Sequence, residues 1–151
     1  MVRRSVPVRK SVWGSQLWLF FHADGYKLAN IEDLALRCEK TSEMWKHTRE
    51  LIQTIPCPSC RKHAASMYVA TRYEDPNDEK CDWYQKWAFE FHNKVNQRLR
   101  KPVMSWEDSM KLSEALDAKK HLNEYVKAIN GWKYSRVNTL VQSIQNLLES
   151  V

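Results

Sequence analysis

Glycine and proline are scarce in this chain of 151 residues, with three glycines (Gly14, Gly25 and Gly131) and five prolines. Sandwiches and barrels need turn residues every few positions, so the shortage argues against an all-β fold and for helices. It also removes the glycine-rich phosphate loops: neither G-x-G-x-x-G nor G-x-x-x-x-G-K occurs, and any nucleotide must be held by other means. No run approaches the ~20 apolar residues of a membrane span, and the opening MVRRSVPVRK lacks the apolar stretch of a secretory signal. The expectation is a protein that neither spans a membrane nor follows the conventional secretory route. Internal repeats and low-complexity segments are absent, and 43% hydrophobic against 28% charged residues excludes a disordered chain.

What is present fits one domain, able to bury roughly two thirds of its unfolded surface. The net charge of +6 suits a polyanionic partner or a phosphate-bearing cofactor. Arg3, Arg4, Arg9 and Lys10 crowd residues 1–10, read as a solvated basic tail; the other basic residues are spread along the chain, so no nucleic-acid partner is expected. From Ser11 to Lys27 the apolar positions are dense enough for a helix buried on more than one face. Asn30 reads as the N-cap of a second helix reaching to Pro56, and Pro58 suits the first turn of a third, to about Arg72. Tyr73 to Lys80 reads as a loop, Asp82 as the cap of a fourth helix, and Trp83, Trp87, Phe91, Val95 and Leu99 repeat at four-residue steps until Pro102. The stripe Val137, Leu140, Val141, Ile144, Leu147 and Leu148 predicts one or two further helices. The architecture is therefore all-α: a four-helix bundle over 11–104 with a helical C-terminal extension over 105–151.

Chemistry gathers at two places. Cys57-Pro58-Ser59-Cys60 stands where a helix should begin, and a helix N-terminus stabilises a thiolate, which favours redox exchange. Two other readings stay open, half of a zinc site or ordinary structural cysteines; Cys38 and Cys81 do not give zinc-site spacing, so no metal is expected. A thioredoxin fold would need a βαβ pattern that is missing. The second place is His92 to Pro102. There His92 and Asn96 share a helix face, offering a ring for stacking and an amide for a heterocycle, with Lys101 able to neutralise a phosphate. Taken alone, it reads rather as a solvated polar helix face with an incidental histidine.

Together these stretches resemble the Erv/ALR family of FAD-linked sulfhydryl oxidases, whose fourth helix carries H-N-x-V-N-x-x-L-x-K-P; every fixed position of it occurs from His92 to Pro102. The family's C-x-x-C-x-x-H is similar to Cys57, Cys60 and His63. Its first-helix motif resembles Gly14, Trp18, His22 and Tyr26 at similar spacings. The resemblance covers about residues 12–102. It implies a helical bundle holding FAD at one end, with Cys57 as the thiol that exchanges with a dithiol protein substrate and Cys60 as the flavin-proximal thiol. Molecular oxygen would reoxidise the flavin to give hydrogen peroxide. Gly14, Trp18, His22, Tyr26, His63, His92, Asn93, Val95, Asn96, Leu99 and Lys101 would bind FAD, while His47 and His121 match nothing and are assigned to the surface.

Some positions depart from the pattern. Ser15 replaces the arginine after glycine, leaving a phosphate contact missing or supplied by Arg9 or Lys10, and Lys27 replaces a proline. Neither terminus holds the distal cysteine pair of many cellular members, which implies direct exchange with a dithiol protein or a separate shuttle protein. No cysteine follows Cys81 to form the family's usual structural disulfide, and a pairing of Cys81 with Cys38 is disfavoured. Such compact forms resemble members encoded by large cytoplasmic DNA viruses, which implies the host cytoplasm or the virion, with the mitochondrial intermembrane space as the alternative. The family also implies a homodimer through the first two helices. The competing reading is a non-enzymatic zinc- or disulfide-stabilised helical adaptor.

Overall fold

A computed structural model describes residues 10–70 and 79–151, with side chains from Val12 onward. Arg3, Arg4 and Arg9 of the basic tail, and all but the last two residues of the loop expected over Tyr73 to Lys80, lie outside the described residues. Among those described there are seven α-helices, one 3-10 turn and no strand. In order they are α1 (Lys10–Ala29), α2 (Leu34–Ile52), α3 (Pro58–Ala70), α4 (Trp83–Arg98), α5 (Trp106–Glu114), α6 (Ala118–Ala128), the 3-10 turn (Gly131–Lys133) and α7 (Ser135–Glu149). The all-α class is as expected, but three helices rather than one or two follow Pro102.

The central helix is α1, which packs against α2, α4, α5 and α6. Its residues Phe21 to Gly25 are all buried, so no side of it at that level is left to solvent. The crossing with α4 is close at Gly25, where a Cβ would lie 2.8 Å from the Cα of Gln85. Second-helix capping falls to Asp33 instead of Asn30: the Asp33 carboxylate accepts from the Leu36 amide at 2.8 Å, while Asn30 donates back to the Tyr26 carbonyl at the end of α1. Asp82 stands at the N-cap of α4 without a side-chain cap bond. Trp45 of α2 stacks on Tyr68 of α3 with centroids 4.0 Å apart and meets Trp83 and Trp87 of α4 edge-on.

Two findings overturn the sequence reading. Cys38 and Cys81 form a disulfide with Cα atoms 5.1 Å apart. Arg37 explains the approach, because its guanidinium donates to the Ile31 and Lys80 carbonyls, 2.8 Å each, and draws the start of α2 onto the residues leading into α4. His47 and His121 are half-buried rather than surface residues, and His121 bonds the Gln16 side chain of α1 at 2.8 Å. The C-terminal helices share the bundle's core: Leu122, Tyr125 and Val126 of α6 and Leu140, Val141, Ile144, Leu147 and Leu148 of α7 are buried in the same cluster as Phe20, Met44 and Trp87.

Candidate functional site

The turn between α2 and α3 carries Cys57 and Cys60, joined as a disulfide with Cα atoms 5.2 Å apart. Cys57 immediately precedes α3, and its sulfur accepts from the Cys60 backbone N–H at 3.3 Å, as an N-cap side chain does. A thiolate released there would meet unsatisfied amides and the positive end of the helix dipole, which lowers thiol pKa. Elements on either side fix the turn. The Thr54 hydroxyl donates to the Leu51 carbonyl at 2.6 Å and pairs with the Tyr125 hydroxyl of α6 at 2.8 Å. Arg61 reaches back to the Ile55 carbonyl at 3.3 Å.

Cys60 opens into a cleft of about 140 Å³ between α1, α3 and α4. Six expected residues meet there: Gly14, Trp18, Cys60, His63, Val95 and Leu99. Trp13, Leu17, Phe21, Phe91 and Arg98 also line it, with Ile55, Ser59 and Ala64, and the motif reading assigned none of them to the site. Their signal is the spacing itself, since Trp13, Leu17 and Phe21 continue one face of α1 and Arg98 lies one turn beyond Val95. His63 is held below its ordinary pKa by burial, reinforced by the Arg98 guanidinium.

His22 and His92 stand behind this cleft. Trp18 stacks on His92 with centroids 4.4 Å apart and planes 10° off parallel, and His22 Nε2 shares a proton with His92 Nδ1 at 2.8 Å. The other His22 nitrogen meets the Ser109 hydroxyl of α5 at 3.3 Å. Burial is the main cause that lowers both imidazoles to about 4, so the pair is neutral at physiological pH. The remaining expected residues are placed apart. Asn93 spends its amide on the backbone of Met104, donating to the carbonyl and accepting from the N–H at 2.8 Å each. Tyr26 lines a different recess with Arg37, Trp106 and Met110. Asn96 is half-buried and Lys101 exposed, and the Lys101 amide donates to the Asn96 carbonyl at 2.8 Å. Among the described residues no group of three His, Cys, Asp or Glu is placed to hold a metal ion.

A helix-capping disulfide whose inner sulfur opens into an aromatic slot defines a helical dithiol–disulfide redox protein. Residues 15–128 match the Erv1/Alr family, and the chain belongs to it. That match continues past Pro102 through α5 and α6. An FAD-linked sulfhydryl oxidase of African swine fever virus is 29% identical over 102 residues, 68% of this chain and 80% of its own length, in a Kenyan and in a Malawian isolate. A protein of Invertebrate iridescent virus 6, provisionally named an FAD-linked sulfhydryl oxidase, is 30% identical over 103 residues, 62% of this chain and 84% of its own length. No solved structure matches the chain.

The donor set fits a flavin dinucleotide. A flat heteroaromatic ring suits a slot walled by Trp18, Phe21, Phe91 and Leu17, with a sulfur at one side and the Arg98 guanidinium in its lining as a cation suited to a phosphate.

Proposed function

We propose that this protein is an FAD-dependent sulfhydryl oxidase that makes disulfides in partner proteins. The observation that carries the reading is the position of Cys60, which faces the aromatic cleft while its disulfide partner Cys57 does not line it. A substrate thiolate attacks the Cys57 sulfur, the Cys57–Cys60 bond breaks, and Cys60 leaves as a thiolate inside the cleft. The substrate's second thiolate then attacks its own sulfur in the mixed disulfide and releases Cys57, so two electrons now reside on the Cys57–Cys60 dithiol. Helix α3 lowers the cost of the Cys57 thiolate through the Cys60 amide. FAD, when bound, supplies the two-electron relay that takes the pair from Cys60 and delivers it to molecular oxygen as hydrogen peroxide.

Gly14, Trp18, His63, Val95 and Leu99 are the proposed walls of the flavin site, Lys101 and Arg98 its phosphate cations, and His22, His92, Asn93, Asn96 and Tyr26 support or extend it. The viral relatives favour the host cytoplasm or the virion as the place of action. The purified protein is expected to absorb near ~450 nm, to bleach with anaerobic dithiothreitol and to recover in air. Cys60→Ser is expected to keep the flavin bands and lose turnover. Absence of the bands after refolding with FAD would remove the oxidase reading in favour of the non-enzymatic adaptor.

A further inference from the structure

On the other side of the redox turn lies a groove of about 1190 Å³ between α2, α3 and the start of α7. Thr54 and Pro56 form part of its wall, so a chain lying in it arrives one residue, about 3.8 Å of backbone, from Cys57. Lys46, Arg49 and Arg136 stand on its walls and are exposed, with Glu50 as the one acid there among the described residues. None of the three cations is paired with a carboxylate among the described residues. Tyr68 and Tyr134 add aromatic surface to the walls. The groove is thus cationic and partly aromatic, adjoins the attacked sulfur, and is separate from the cleft into which Cys60 opens.

We infer that this groove docks an acidic segment of the dithiol substrate, held by Lys46, Arg49 and Arg136 and delivering its cysteine pair to Cys57. The inference rests on the oxidase reading and deepens it by naming the chemistry of the substrate. Charge complementarity selects the occupant: an extended acidic chain finds three unneutralised cations in a row of walls, whereas a basic chain is repelled. The groove also depends on α7, since Arg136 and Tyr134 come from its start. An exchange partner here is therefore selected by a part of the chain distant from the C-x-x-C motif.

The test compares the oxidation of reduced C-x-x-C peptides with acidic, neutral or basic flanks, alongside dithiothreitol. The acidic peptide is expected to show the lowest KM, with the advantage fading as salt is raised. The double variant Arg49→Glu, Arg136→Glu is expected to raise that KM about tenfold, with kcat and dithiothreitol oxidation unchanged. Binding of the acidic peptide with serines for its cysteines, followed by fluorescence anisotropy, reads the groove independently of turnover. A parent protein that fails to oxidise dithiothreitol but still binds this peptide, and loses it in the double variant, would sink the oxidase reading and keep the groove. Equal KM values for the three peptides, or an oligodeoxynucleotide held more tightly than the acidic peptide, would overturn the groove assignment.

Discussion

Asp24 is fully buried in α1, where its carboxyl faces the buried Tyr84 hydroxyl of α4. Burial pushes its carboxyl up to about 8 from 3.8, so it is protonated in the folded protein at neutral pH. His22 and His92 shift the other way, from 6.5 to about 4. The signs of these shifts fix a stability profile. Between about 4 and 6.5 the unfolded chain holds at least two more histidine protons, His63 and His121 being lowered in the same sense, and one fewer aspartate proton than the folded one, so stability rises with pH. From 6.5 to about 8 only Asp24 still differs among the described residues, and stability falls by up to about 1.4 kcal/mol per pH unit. Thermal unfolding across this range is expected to show a maximum near pH 6.5, and Asp24→Asn to remove the decline above it. A variant with the parent's slope from pH 6.5 to 8 would show that another group titrates there. Aspartate in the middle of an apolar helix is visible in the sequence, but its complete enclosure is not, because that depends on α2, α4 and α6 closing around α1.

The fourth helix shows how a motif can be read correctly as a pattern and incompletely as chemistry. Phe91, Val95 and Leu99 were legible as one face at four-residue spacing, and all three line the cleft. Asn93 sits on another face and clamps the backbone at Met104, which sets where α5 begins and so where Ser109 meets His22. Helix boundaries were legible where Pro58 opens α3 and Pro102 follows α4. Those of α5 and α6 were not, because helices of 9 and 11 residues carry too few turns for periodicity to speak. The Cys38–Cys81 bridge was hidden too, since the force that aligns it is a guanidinium bonding to distant carbonyls. Asn93→Ala is expected to destabilise the flavin-free protein by about 1–3 kcal/mol, through two lost bonds to a partly buried backbone. Denaturant melts without FAD check it: an unchanged midpoint would mean that Asn93 matters only to cofactor.

At the scale of the molecule, the C-terminal helices behave as part of the core. Each of the buried side chains Leu122, Val126, Leu140, Val141, Ile144, Leu147 and Leu148 contributes roughly 1.5–3 kcal/mol by leaving water, and a domain's whole net stability is only about 5–15 kcal/mol. Tyr125 adds a bond to Thr54, three residues before Cys57, so the extension also braces the redox turn. A homodimer through the first two helices, as the resemblance implies, has to find its contact beside α6 on α1 and α7 on α2. The extension and the bundle therefore form one folding unit in this reading, and a chain ending at Met104 is expected to collapse into an aggregating species that neither melts cooperatively nor retains flavin. Circular dichroism melts and flavin absorbance of the 1–104 fragment decide the point. A soluble fragment with a sharp transition and yellow colour would show instead that α1 to α4 stand alone and that α5 to α7 serve only the groove.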